Sequence, residues 1–497
     1  GRSCVMIDFA DGLDRRDNTG RGRRVGWLAA GLLLLAPAQA LAESGDAMAL
    51  YDSDGLKVRG HFQLGVNAVA EQNVFWNYSH VVAPQADFNT DTRWLEAYVK
   101  PGVSFTKDLG GDVSAYGKIS GVASATVGTD AFATGDTGRT TLEEGYVGLR
   151  MASDNGLSFD VSIGPREFMA GTGMLIANGG SNGFRRGALK LGPRKAWEFA
   201  GLARLGYRSF AATAFYVDAN EAPDSDSHNK IAGVDFRHDG GPAVYAGMTL
   251  GQVVESDAPY PKAAPNGIGV PSILPGAREG LKFLNVYGRT QPFGGALEQL
   301  FIAGDVAVER NSDISLKAWA ARGQVGYIFA SHSWRPTIGY IYQTFSGDDP
   351  STPALERFDP LYYEGNPSSW STGSKSSMVF INSNVNAHQL WARVTPSEKD
   401  TITLRLARLR ANELLSPIQF GQATRLELID GVPTPIAGVP RHHLSDDIFI
   451  EYNRTLARNV YLTGGFSISF PGDGVDLVIH NDAPIWTGGF VNVVVNF

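Results

Sequence analysis

The chain has 497 residues, of which 43% are hydrophobic, 10% aromatic and 19% charged, with 59 Gly and a formal net charge of −8. That acidic balance excludes a nucleic-acid binder as the default reading, and the single cysteine, Cys4, excludes a disulfide framework and a cysteine-based zinc site. No stretch reaches the roughly 18 consecutive apolar residues of a membrane-crossing helix, so a helical membrane protein is excluded too.

Near the amino end, Arg21, Arg23 and Arg24 precede an apolar run from Trp27 to Ala36, and Ala40-Leu41-Ala42 precedes Glu43. A basic region, a short apolar core and a small-residue cleavage site predict a removable secretory signal over about 21–42, within a leader spanning 1–42. Residues 43–497 are then one domain. Residues 1–20 show no periodicity and are assigned no role.

From Glu43 onward the sequence reads as period-two segments separated by turn residues. About eighteen such segments begin near residues 56, 93, 112, 140, 156, 196, 208, 229, 242, 280, 297, 316, 334, 386, 400, 446, 459 and 488. In the first, Val58, Gly60, Phe62, Leu64 and Val66 share one face and Lys57, Arg59, His61, Gln63 and Asn67 the other. Later, Trp319, Ala321, Val325, Tyr327 and Phe329 oppose Arg322 and Gln324, and Ile402, Leu404 and Leu406 oppose Thr401, Thr403 and Arg405. Long connections at about 70–92, 127–139, 166–195, 255–279, 346–385, 411–445 and 471–487 alternate with tight turns such as Ser153-Asp154-Asn155-Gly156 and Asp239-Gly240-Gly241. A soluble β-sandwich also alternates, but has no reason to segregate long loops from short turns along its whole length.

The last segment, Phe490 to Phe497, puts Val491, Val493 and Val495 on one face and Asn492 and Asn496 on the other, and ends on an aromatic residue. These features predict an all-β fold, a transmembrane antiparallel β-barrel of about 18 strands with short periplasmic turns and long extracellular loops, placed in the bacterial outer membrane. Its expected partners are outer-membrane lipid and, through Phe497, the barrel assembly machinery. A barrel of this size is wide enough for a water-filled channel, so the expected function is passage of a solute.

Selectivity in a pore comes from the side chains lining its narrow part, and Arg or Lys there selects anions. Beyond the leader the chain has 25 Arg against 12 Lys, and a planar guanidinium grips a carboxylate through two parallel hydrogen bonds. Strand parity points Arg59, Lys118, Arg204, Arg322, Arg393 and Arg405 into the lumen. Arg166, Arg185, Arg186 and Arg194 lie in or beside the Gly-rich connection 166–195, which is long enough to fold inward. Glu96, Asp160, Glu198, Asp235 and Asp305 are also predicted inward, a mixed lining along which a polyanion would slide. The pore-lining candidates are therefore Arg59, Lys118, Arg166, Arg185, Arg204, Arg322, Arg393 and Arg405.

The segment from Gly164 to Ile176, followed by Arg185, resembles the alginate-export outer-membrane porin family. Gly164, Glu167, Gly171, Gly173, Leu175 and Arg185 match its pattern, whereas Pro165, Arg166 and Met174 stand where the pattern has Arg, Gln and Arg. Phe358-Asp359-Pro360-Leu361-Tyr362, Gly365, Asn384 and the segment ending at Arg410 resemble a second hallmark. The resemblance implies a monomeric barrel, typically of eighteen strands, with an electropositive constriction for a uronate polymer, and with periplasmic export partners.

No residue set reads as catalytic, and no cofactor or metal site is assigned. His388 is the best lone candidate for a base but reads as a wall histidine, and His442-His443 lacks metal-ligand spacing. The sequence therefore predicts a channel passing an anionic polysaccharide, with a substrate-specific uptake porin for small anionic solutes or oligosaccharides as the alternative, and a barrel enzyme as a further rival.

Overall fold

The computed structural model describes residues 48–497 except 133, 224, 242, 366–369, 374–379, 420–425, 430, 431, 436, 437 and 481. The leader, with Cys4 and the expected signal over 21–42, lies outside the described residues.

The strands are β1 (Ala49–Ser53), β2 (Leu56–Gln72), β3 (Thr92–Gly110), β4 (Val113–Thr129), β5 (Thr137–Ala152), β6 (Leu157–Arg166), β7 (Trp197–Tyr207), β8 (Phe210–Asp218), β9 (Lys230–Gly241) and β10 (Val244–Glu255). A loop hairpin, β11 (Tyr260–Lys262) and β12 (Ser272–Leu274), comes next. The wall resumes with β13 (Lys282–Thr290), β14 (Leu300–Asn311), β15 (Leu316–Ile328), β16 (Thr337–Phe345), β17 (Val385–Ser397) and β18 (Asp400–Ala411). A second hairpin, β19 (Leu426–Ile429) and β20 (Val432–Pro435), precedes β21 (His443–Ala457), β22 (Val460–Pro471) and β23 (Trp486–Asn496).

Apart from β1 and the two hairpins, each strand pairs antiparallel with its neighbour along the chain. β23 pairs back on β2, from Gln63↔Asn496 to Gln72↔Thr487, which closes an eighteen-stranded barrel. Phe497 continues the seam: its N–H donates to the Phe62 carbonyl at 2.9 Å. The predicted segregation of connections holds for most of the barrel: β14 and β15 are joined at the long-loop end by residues 312–315 alone, and at the opposite end 291–299 and 329–336 are longer than the other turns. β1 was not anticipated. It pairs with the start of β2 around Asp54-Gly55, both at positive φ, the conformation that a two-residue hairpin turn requires.

Residues directly opposite across a ladder share a face, so the registers divide the wall into two surfaces. Ile119, Leu205, Val306, Phe466 and Val491 are exposed on the outer one, and Phe329 is exposed just past the end of β15. The inner surface is less wet than parity alone predicts. Towards the long-loop end, inward Val69, Trp94, Phe283, Phe345, Leu409, Trp486 and Phe490 form one buried cluster with the loop residues Phe75, Trp76, Met174, Ile176, Phe358, Trp370 and Phe380. The lumen there is a packed core, because the long connections fold inward and must bury their own apolar side chains.

Nearer the middle of the wall a repeated device keeps aromatic rings flat. A Cβ on Gly65 would meet Tyr98 at 2.3 Å, on Gly148 Tyr116 at 2.5 Å, on Gly326 Phe301 at 2.3 Å and on Gly339 Trp391 at 2.5 Å. In each pair the glycine and the ring are on adjacent strands and the ring fills the missing side chain's space, so the aromatic lies along the wall instead of across the passage. Replacing Gly326 by Ala must push Phe301 inward; we expect a loss of about 1–3 kcal/mol in denaturant-monitored stability and a smaller single-channel conductance. Gly323→Ala, where a Cβ meets nothing within 4 Å, should leave both unchanged.

Candidate functional site

The connection 167–196 crosses the lumen and touches two separate parts of the wall. After β6 it reaches β10, β13 and β14: Gly171, at φ +58°, packs on Tyr287 and Thr249, Thr172 donates through Oγ1 to Asp305 at 2.5 Å, and Met174 Sδ accepts from Asn285 Nδ2 at 3.4 Å. It is clasped there by the connection 346–384. Ile176 bridges Tyr362, and Trp370 Nε1 donates to the Thr172 carbonyl at 2.8 Å.

The return limb runs to β3, β4 and β5. Glu96 receives the main-chain N–H groups of Lys190 at 3.2 Å and Leu191 at 2.7 Å, together with Asn67 Nδ2 and Trp94 Nε1 at 3.0 Å each. Glu143 takes the N–H groups of Lys195 and Ala196 at 2.9 and 3.0 Å. Arg194 donates to Thr141 Oγ1 at 2.8 Å, Ser124 Oγ at 2.7 Å and the Arg139 carbonyl at 2.9 Å. Burial, with Arg186 nearby, holds the Arg194 guanidinium down at about 10, so it remains charged at neutral pH.

Four of the five predicted inward acids are engaged by protein donors. Glu96 is fully buried under the loop, Asp305 holds Thr172, and Asp235 accepts from Thr249 Oγ1 at 2.6 Å and Tyr287 OH at 2.9 Å. Asp160 accepts from Tyr116 OH. Glu198, on β7, is exposed.

The cations divide in two. Lys118 is paired with Glu144 at 2.6 Å, and Arg166 is fixed by Ser162 Oγ at 2.6 Å, Tyr116 OH at 3.1 Å and the Tyr146 ring at 4.4 Å. Arg185 is exposed on the crossing loop, while Arg59 and Arg204 are exposed at inward positions of β2 and β7. Arg322, Arg393 and Arg405 face inward on β15, β17 and β18, opposite Asp305, Thr337 and Trp391 respectively. Arg289, on β13, joins them. It sits 4.0 Å over the Phe301 ring, as Arg322 sits 4.5 Å over Trp370 and Arg393 5.5 Å over Trp391. Among the described residues none of these four has a carboxylate within 4.0 Å, and Arg289 Nε, Arg322 Nε and Arg405 Nη1 are buried donors without an acceptor. Arg289 was missed although its alternation with Leu284 and Val286, opposite in face to Phe283, Asn285 and Tyr287, marks it as inward.

The other candidates fall outside this arrangement. His388 faces out of the barrel, its Nδ1 2.7 Å from Tyr340 OH. His442 Nδ1 lies 2.9 Å from the Ala411 carbonyl and His443 Nε2 3.1 Å from Asp446.

No family model and no curated protein matches the chain. Solved structures match it in fold. OccAB1 of Acinetobacter baumannii is 9% identical with a TM-score of 0.50, covering 92% of this chain and 100% of that one. OccK2 (OpdF) of Pseudomonas aeruginosa is 10% identical at 0.47, covering 88% and 97%, and its complex with glucuronate is 10% identical at 0.46, covering 88% and 96%. The likeness to OccAB1 is one of fold, a closed antiparallel barrel of eighteen strands, and it does not support the alginate-export family specifically.

A carboxylate serving four donors cannot be replaced by an amide with one oxygen. Glu96→Gln should cost about 1–3 kcal/mol locally and release the return limb, read as larger open-channel current fluctuations and faster proteolysis after Lys190 and Lys195.

Proposed function

We propose that this chain is an outer-membrane channel for small solutes carrying a carboxylate, the uptake alternative, and not an exporter of a uronate polymer. The supporting observation is the division of charge in the lumen. Glu96, Asp235 and Asp305 accept hydrogen bonds from the crossing loop or from wall groups packed against it, whereas among the described residues Arg289, Arg322, Arg393 and Arg405 keep donors with no carboxylate within 4.0 Å. In a confined passage such donors replace the hydration of an entering anion, and rings beside them offer a flat surface to a sugar or aromatic body. A long polymer would have to thread past a loop tied to two parts of the wall. The barrel sits in the bacterial outer membrane with its apolar face to lipid and its tight turns towards the periplasm, and Phe497 is the residue that an insertion machinery would read.

Of the remaining candidates, Arg59 and Arg204 widen the attraction at other heights, while Lys118 and Arg166, already engaged by wall groups, shape the lining. Planar-bilayer recordings test this reading. Monomeric glucuronate should produce brief blocks of the current in the wild-type channel, and the Arg322→Ala/Arg405→Ala double variant should lose at least about 1–3 kcal/mol of that binding, roughly tenfold or more in affinity. Sustained passage of a uronate polymer, or blocks unchanged in the double variant, would contradict the proposal.

A further inference from the structure

The outer wall carries a cationic strip at the long-loop end that the channel does not use. Lys282 opens β13, Arg310 is the last residue but one of β14, and Lys317 is the second residue of β15. The registers place Lys282 directly opposite Arg310 and Arg310 directly opposite Lys317. All three are exposed, whereas the adjacent row Phe283, Glu309 and Ala318 is buried inside. The three cations therefore stand side by side on the outside of three neighbouring strands.

Like charges directly opposite one another destabilise a sheet, so this row needs a compensating anion. Elsewhere at this end of the barrel one is built in: Arg408 has Asp446 at 2.8 Å and Lys230 has Glu255 at 2.7 Å. Among the described residues no carboxylate lies within 4.0 Å of Lys282, Arg310 or Lys317; Arg310 donates only to the Glu309 and Ala318 carbonyls, at 2.8 and 3.4 Å. Two residues further towards the middle of the wall, about 7 Å by strand rise, the next outward row is Leu284, Val308 and Trp319 in the same register. Leu284 and Trp319 are exposed, and beyond them so are Val286 and Val306. An exposed Trp between a cationic row and an aliphatic one is the pattern of a membrane interface.

We propose that this strip binds a phosphorylated glycolipid of the outer leaflet, its phosphates on Lys282, Arg310 and Lys317 and its acyl chains over Leu284, Val308 and Trp319. The inference rests on the outer-membrane reading above. Cations at such a surface each contribute severalfold to the attraction of anionic lipid, and Arg adds bidentate phosphate contacts.

The test is a titration of the purified full-length channel in neutral detergent with lipopolysaccharide. The triple variant Lys282→Gln/Arg310→Gln/Lys317→Gln should bind roughly a hundredfold more weakly than wild type, and the single variants Lys282→Gln and Lys317→Gln about fivefold more weakly. Lys399→Gln, in a tight turn at the opposite end, should bind as wild type does. Chemically dephosphorylated lipopolysaccharide should bind the wild type weakly, and millimolar inorganic phosphate should not displace the intact glycolipid. Wild-type affinity in the single and triple variants, or ready displacement by inorganic phosphate, would overturn the proposal. Conductance separates the two readings: a conducting channel with unaltered glycolipid affinity removes the lipid site alone, whereas a protein that forms no channel removes the transport reading.

Discussion

The structure depends on the seam between β2 and β23. In hydrocarbon every backbone N–H and C=O must find a partner within the protein, and an open sheet edge would leave a row of them unpaired. The register from Gln63↔Asn496 to Gln72↔Thr487, extended by Phe497 on Phe62, removes that edge. Once the wall is closed, alternation places apolar side chains outside and the remainder inside, so the closing strand determines what the lumen contains. Val491, Val493 and Val495 have to face outward for Asn492 to face in beside Asn67.

Inside, geometry separates charges that composition only mixes. Acceptors are needed wherever the crossing loop presents main-chain N–H groups, and Glu96 and Glu143 satisfy them. The arginines of β13, β15 and β17 lie over rings instead, Arg289 on Phe301, Arg322 on Trp370 and Arg393 on Trp391. A globally acidic chain can thereby enclose an electropositive passage, because field within a narrow low-dielectric channel follows the nearest uncompensated groups and not the total.

Much of the wall was legible because period-two alternation reports burial one residue at a time. All eighteen barrel strands begin within a few residues of their expected positions, and the registers of Arg322, Arg393 and Arg405 lie on the inner face. What parity cannot convey is which inward group meets the loop. Thr172 and Asp305 are separated by 133 positions, and Leu191 and Glu96 by 95, so the sequestration of the acids is a tertiary event without a local signal. The segments resembling alginate exporters make contacts that hold the two loops together. Gly171 and Gly173, at φ +58° and +79°, form the crossing, Glu167 pairs with Lys100 at 2.9 Å, Asp359 holds Arg278 at 2.7 Å, and Tyr362 bridges Ile176. Such motifs specify how two loops interlock, which is compatible with more than one cargo.

The proposed anion channel requires an electropositive lumen despite a net charge of −8. The most direct measurement is the reversal potential of the wild-type channel across a planar bilayer under a gradient of potassium chloride. A potential of the sign set by chloride, fading as ionic strength rises and screening shortens, is the result this account predicts. A potential of the sign set by potassium would contradict it.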